Sequence, residues 1–317
     1  MSDDNSDASS PTNDRPIRRK LSYYAVLYLD LMGQHEAIAE LEKLQLLRDN
    51  QSAYYRRFGE AAGKVWGVRF FLVSRMNKGL AMTLASAAYP VPRVTVQMFA
   101  DTVMVYFPWN RDNPNAFVAL YSLLVATAET MICALAGEIP IRGGLDVHVA
   151  TEFNEQTPAE NSSGDVFHGG DIWGPAPKRA YDLAEKDHNY MRVRVGKGVS
   201  DLVIESVKHI SEELKTDPSK VPWFEPAVDP AKHTVKLFAK DPVDKSPILD
   251  YFGLGMADVL APETKALIGE AVAFAESTCK RMRIAPDRGI ADKYEKLVTY
   301  ITARREPNGI VPALATR

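Results

Sequence analysis

Two acids in this chain are placed to do chemistry. Asp30 follows the apolar run Tyr24-Ala-Val-Leu-Tyr-Leu29 and precedes Leu31-Met-Gly33, which puts its carboxylate at the exit of a buried strand. An unpaired charge is expensive there, so Asp30 needs a partner, and a metal ion is the obvious one. Asp101 stands between Val94-Thr-Val-Gln-Met-Phe-Ala100 and Thr102-Val-Met-Val-Tyr-Phe107, as the turn of a hairpin does. Two acids on adjacent strand ends could share a pair of divalent cations.

The elements that position these acids follow from periodicity. Ile38, Leu41, Leu44, Leu46 and Leu47 recur at helical spacing over 34–57, and a second helical or mixed stretch reaches about residue 88. Pro90 and Pro92 punctuate before the 94–107 hairpin. Asn113-Pro-Asn115 opens a buried helix that closes at Gly137, and a strand follows in 139–149. The order β, α, α, β, β, α, β predicts an α+β fold with a ferredoxin-like or palm-type sheet. Residues 151–164 read as an exposed loop, 175–187 as a helix, 191–195 as a strand and 199–215 as a helix. A strand at 234–238 and extra C-terminal helices near 263–283 and 290–304 complete the reading.

Composition narrows the function. The 317 residues are 46% hydrophobic, enough for a full core. Lys and Arg number 38 against 41 Asp and Glu, so no broad basic field exists to hold a nucleic-acid backbone, although a single nucleotide needs only local charges. Cys133 and Cys279 fit neither a disulfide framework nor a zinc pattern and suit a reducing cytoplasm. Residues 1–14 are acidic and polar, unlike a signal peptide, and 1–20 read as a disordered tail. The apolar run 116–128 is shorter than the roughly 20 residues of a membrane span and reads as a core helix. Neither a P-loop nor a Gly-x-Gly-x-x-Gly turn occurs, which removes the usual kinase, ATPase and dinucleotide routes.

Three motifs in order resemble the class III nucleotide cyclases. Asp30-Leu-Met-Gly33 is similar to their Asp-Ile-x-Gly, Asp101 in its hairpin to their second metal aspartate, and Asp171-Ile-Trp-Gly174 to their base-contacting strand-to-helix turn. Ala180-Tyr-Asp-Leu-Ala-Glu185 and Met191-Arg-Val193 resemble a compact bacterial branch that includes the pyrimidine (uridylate and cytidylate) cyclases of Pycsar antiphage systems.

The resemblance implies a catalytic domain over 21–245 and a helical extension over 246–317 packed on it. It implies two Mg²⁺ or Mn²⁺ ions held by Asp30, Leu31 and Asp101, with Leu31, Met32 and Gly33 passing over the phosphates. Gln97 and Asp171 would select the base, and the lysine usual in adenylate cyclases at the first of these is absent. A carboxamide and a carboxylate suit uracil, and also cytosine or guanine. Lys178 stands where the family has a transition-state Asn, and Asp182 where it has an Arg; Lys178, or alternatively Arg179, would stabilise phosphate charge. Lys197, Lys236 and Lys240 are further candidates to reach the triphosphate.

The implied enzyme is a cytoplasmic homodimer that converts UTP to cyclic UMP in antiviral signalling and acts through a separate effector protein. It binds neither nucleic acid nor membrane. A cytidylate or purine cyclase, or a non-catalytic nucleotide-binding dimer, are the alternatives.

Overall fold

The computed structural model describes residues 21–32, 51–82, 92–99, 101–110, 113–153, 171–185, 190–217, 234–284, 288–305 and 307–311. Gly33, the stretch expected to be helical over 34–50 and most of the loop expected over 151–164 lie outside them. Strand β1 (Ser22–Leu31) lies between β3 (Thr102–Trp109) and β4 (Ile141–Phe153) and is antiparallel to both. Its two faces divide by alternation. Ala25, Leu27, Leu29 and Leu31 enter the main core, whereas Tyr24 and Val26 join a smaller cluster on the other face, the face that Tyr28 and Asp30 share.

The full sheet runs β2-β3-β1-β4-β6-β8-β7, with β2 (Thr95–Phe99), β6 (Val193–Val195), β7 (Phe238–Lys240) and β8 (Pro247–Leu249), while β5 (Asp171–Trp173) pairs with the end of β4. The sub-order β2-β3-β1-β4 is that of a ferredoxin-like core, so the expected fold class is observed. On the main-core face lie α1 (Gln51–Met82) and α2 (Pro114–Ala136). The start of α2 is fixed by the Asn113 side chain, which accepts from the Asn115 N–H at 3.0 Å, and by Pro114 in its first turn. Its end is fixed at Gly137, whose N–H reaches the Cys133 carbonyl at 2.9 Å. The helix is longer than the 116–128 run and is apolar enough over Asn115–Ala136 to cross a membrane by length and composition, yet 83% of that window is buried inside the protein.

On the opposite face α3 (Pro175–Glu185) lies against β1 and β4, and Gly144 makes that approach feasible. A Cβ at Gly144 would run into the Ala180 carbonyl oxygen and the Leu183 side chain. At the other end of the helix Gly174, at φ +135°, turns the chain from β5 into α3 beside Ala150.

The remaining elements are α4 (Lys197–Thr216), α5 (Leu254–Ala257), α6 (Pro262–Ala266), α7 (Ile268–Met282) and α8 (Arg288–Ala303). Side chains from α7 and α8, such as Ala275 and Leu297, share the core of β1 and α2. Two expectations are corrected. Residues 234–236 are helical and Leu237 turns before β7 begins at Phe238, because Thr234 and Leu237 are buried on a one-turn spacing rather than a strand alternation. Residues 151–153, expected to be loop, extend β4, held by pairing with β5.

Candidate functional site

Asp30 sits one residue before the end of β1, opposite Thr102 of β3 and Arg142 of β4. It is 8% exposed, as expected for an acid at a buried strand exit. The Leu31 N–H donates to the Asp101 carbonyl at 3.1 Å, which ties the β2–β3 turn to the end of β1 and brings the two acids together. The partner that Asp30 needs is supplied in this structure by Arg142: its Nε donates to Asp30 Oδ2 at 2.8 Å and its Nη2 to Glu185 Oε1 at 2.6 Å. Burial pushes the Asp30 carboxyl up to about 6 despite that guanidinium, and the charges of Glu185 and Asp101 add to the rise.

This end of the sheet has the donor chemistry for a divalent cation. Asp30 and Asp101 offer hard carboxylate oxygens, Leu31 offers a backbone carbonyl, and a positive group already rests on Asp30. Among the described residues no group of three or more His, Cys, Asp and Glu side chains gathers at metal-binding distance, so a cation here would rely on two carboxylates, backbone and substrate. Met32, whose N–H donates to the Pro140 carbonyl at 2.8 Å, lies at the same edge.

Gln97 lies elsewhere on the same sheet face, and Asp171 lies at the far end of β4. Gln97 pairs with Met104, which pairs with Tyr28, so it is one pleat along and two strands across from Asp30. Asp171 begins β5 opposite Phe153, and from Arg142 to Phe153 is about 35 Å of extended strand. Tyr106 links the region of Gln97 to Asp171. It is buried, it is hydrogen-bonded to Thr95 on the face that carries Gln97, and its hydroxyl is pushed up by burial and by the charges of Glu152 and Asp171.

Helix α3 spans the two regions. Its C-terminal Glu185 reaches Arg142, and the Tyr181 ring stands edge-on to Tyr28 with centroids 5.4 Å apart. Lys178 is exposed and donates to Asp182 at 2.5 Å, an i,i+4 pair that neutralises it. Arg179 Nε lies 3.1 Å from Asp146 Oδ2. Asp146 is 2% exposed, and burial raises its pKa against the Val147 N–H and Arg179, which lower it. Lys197 and Lys236 are exposed, and Lys240 is on edge strand β7, four strands or about 19 Å from β1.

Sequence reasoning missed Arg142, Glu185 and Asp146. Strand parity shows that Arg142 and Asp146 share a face, and Glu185 closes the Ala180–Glu185 motif; that Arg142 meets both Asp30 and Glu185 is set by the register and by the packing of α3.

No family model matches the chain, and no curated protein matches it. Among solved structures it is similar to a bacterial light-regulated adenylyl cyclase, at 15% identity and a TM-score of 0.36 over 59% of this chain and 46% of that one. It is also similar to a class III adenylyl cyclase-like ATP-binding protein from Pseudomonas aeruginosa (12% identity, TM-score 0.34, 63% and 45% covered). A third is the guanylyl cyclase Cya2 (10% identity, TM-score 0.32, 73% and 90% covered). The chain thus spans under half the length of the first two structures.

Proposed function

We propose that the chain is a nucleotide cyclase acting as a homodimer on a nucleoside triphosphate, with UTP ahead of CTP. In this reaction the 3′-oxygen attacks the α-phosphorus, the bond to pyrophosphate breaks, pyrophosphate leaves with the electron pair, and the 3′-hydroxyl proton passes to solvent. Two divalent cations, Mg²⁺ or Mn²⁺, would supply activation of the hydroxyl and neutralisation of the triphosphate when bound. The protein's part is to hold them with Asp30, Asp101 and the Leu31 carbonyl, and to orient the base.

One observation carries this reading. The turn that carries Asp101 is tied through its backbone to Leu31, next to Asp30, at one end of β4, whereas Asp171 pairs with the other end. A single nucleotide touching both groups therefore calls for two chains set head to tail. Across such an interface Asp171 would accept from uracil N3–H and the Gln97 amide would donate to O4, while Lys178 or Arg179 would approach the phosphates. The product would act on a separate effector protein, in antiviral signalling of the kind the sequence resemblance implies.

Mixing two inactive variants tests the two-chain site. Asp30→Asn and Asp171→Asn should each be inactive alone, and their mixture should recover about a quarter of wild-type activity, because half the dimers would carry one intact site. No recovery, with exchange of subunits verified, would overturn it. Incubating the protein with each of the four triphosphates and Mn²⁺ tests the base, and a clear preference for ATP would defeat the pyrimidine assignment.

A second reading, a dimer that binds nucleotide without turning it over, is favoured by the neutralisation of Lys178 by Asp182. It predicts triphosphate binding with no cyclic product from any of the four.

A further inference from the structure

Arg142 grips two acids with two different nitrogens. Nε serves Asp30 on β1, and Nη2 serves Glu185 at the last residue of α3. Counting side-chain atoms alone, the three are partly buried, at 17% exposure for Arg142, 12% for Asp30 and 29% for Glu185. Because the two contacts use different atoms, one can open while the other holds.

The geometry points to Arg142 as a displaceable counter-ion of Asp30, with Glu185 as the positioning residue that retains the guanidinium when a divalent cation takes Asp30. This rests on the metal-binding role proposed for Asp30. A guanidinium on Asp30 Oδ2 and a divalent cation on the same carboxylate repel one another, so binding of the cation weakens the Arg142 contact. Without Glu185 the displaced guanidinium would be left partly buried and unpaired, a state that costs free energy. With Glu185 it keeps a charge-assisted bond of 2.6 Å. Glu185 therefore favours the cation-loaded state although it need not touch the cation.

The signs of two substitutions distinguish this role from ordinary structural support. Mn²⁺ is titrated into the full-length protein without nucleotide, and the free ion is followed by electron paramagnetic resonance. Glu185→Gln should weaken Mn²⁺ binding roughly tenfold, since Arg142 then has Asp30 as its sole charged partner of the two. Arg142→Gln should tighten it, again roughly tenfold, by removing the competitor. In the Arg142→Gln background the effect of Glu185→Gln should shrink to about twofold or less, because Glu185 acts through the arginine. Arg142→Lys, which keeps the charge, serves as the second variant should Arg142→Gln melt early by circular dichroism; it should bind Mn²⁺ within about threefold of wild type. Unchanged binding in Glu185→Gln, or weaker binding in a folded Arg142→Gln, overturns the inference. Asp30→Asn separates it from its premise. If that variant binds Mn²⁺ as wild type does, the metal role of Asp30 fails; if it loses binding while the Arg142 and Glu185 variants leave binding unmoved, this inference alone fails.

Discussion

Two arginines, on β4 and just before the neighbouring β6, each hold two carboxylates, and one acid of each pair, Asp30 and Asp244, is shifted in the opposite direction to the other. Arg192, just before β6, is 2% exposed and bonds Asp241 at 2.6 Å and Asp244 at 2.7 Å. Tyr190 and the Val243 N–H also donate to Asp241, and the Ser246 N–H to Asp244. Although burial would raise it, the bonds from Arg192 and Ser246 hold Asp244 below the usual carboxylate range. Asp30 has one guanidinium N–H and two acids for neighbours, and it is pushed up to about 6. The first cluster stabilises the Asp244 charge more than water does. The second leaves a carboxylate under-compensated, as the cation role proposed for Asp30 calls for.

This contrast can be broken in four places. The largest expected effect is on Arg192. Arg192→Leu strands Asp241 and Asp244 and should lower stability by about 3–5 kcal/mol in urea unfolding. Asp30→Ala should instead leave the fold standing and reduce cyclic nucleotide formation by about a hundredfold or more in a product assay. Equal thermal losses for the two variants would erase the distinction.

The next effect is on pH dependence. The folded-state pKa of Asp30 lies above the unfolded one, so over a window from about pH 4 to about 6 the folded chain keeps a proton that the unfolded chain has lost. Stability from this group is thus present below the window, falls as pH rises through it, and stays lost above it. Relative to Asp30→Asn, the wild type should lose about 2 kcal/mol across that range, measured by denaturation at each pH. The smallest effect is on Lys178. It belongs to an exposed ion pair, so Lys178→Ala should change stability by less than about 0.5 kcal/mol. A large loss of activity in that variant would then assign Lys178 to the phosphates.

How much of this was legible depended on whether the deciding contact was local. β1, the β2–β3 hairpin and α2 show in alternation, apolar runs and caps within their own residues. Asp30 and Asp101 show because a carboxylate ending an apolar run is conspicuous. Arg142 and Glu185 do not, since Arg142 meets Asp30 112 positions away in the chain and only through the β1–β4 register. β8 is three residues long and carries no period to read. The 234–238 stretch misled because Thr234, Val235 and Phe238 suit a strand by propensity, while burial of Thr234 and Leu237 on one side imposed a helical turn.

β4 also acts as a gauge. Its 13 residues set the separation between the end where the acids gather and the end where Asp171 pairs. Removing two residues from its middle would keep every side chain on its proper face yet shorten the gauge by about 6.6 Å. In the head-to-tail pair proposed above both sites would contract together, and a change in the length of β4 would cost more than a change of its residues.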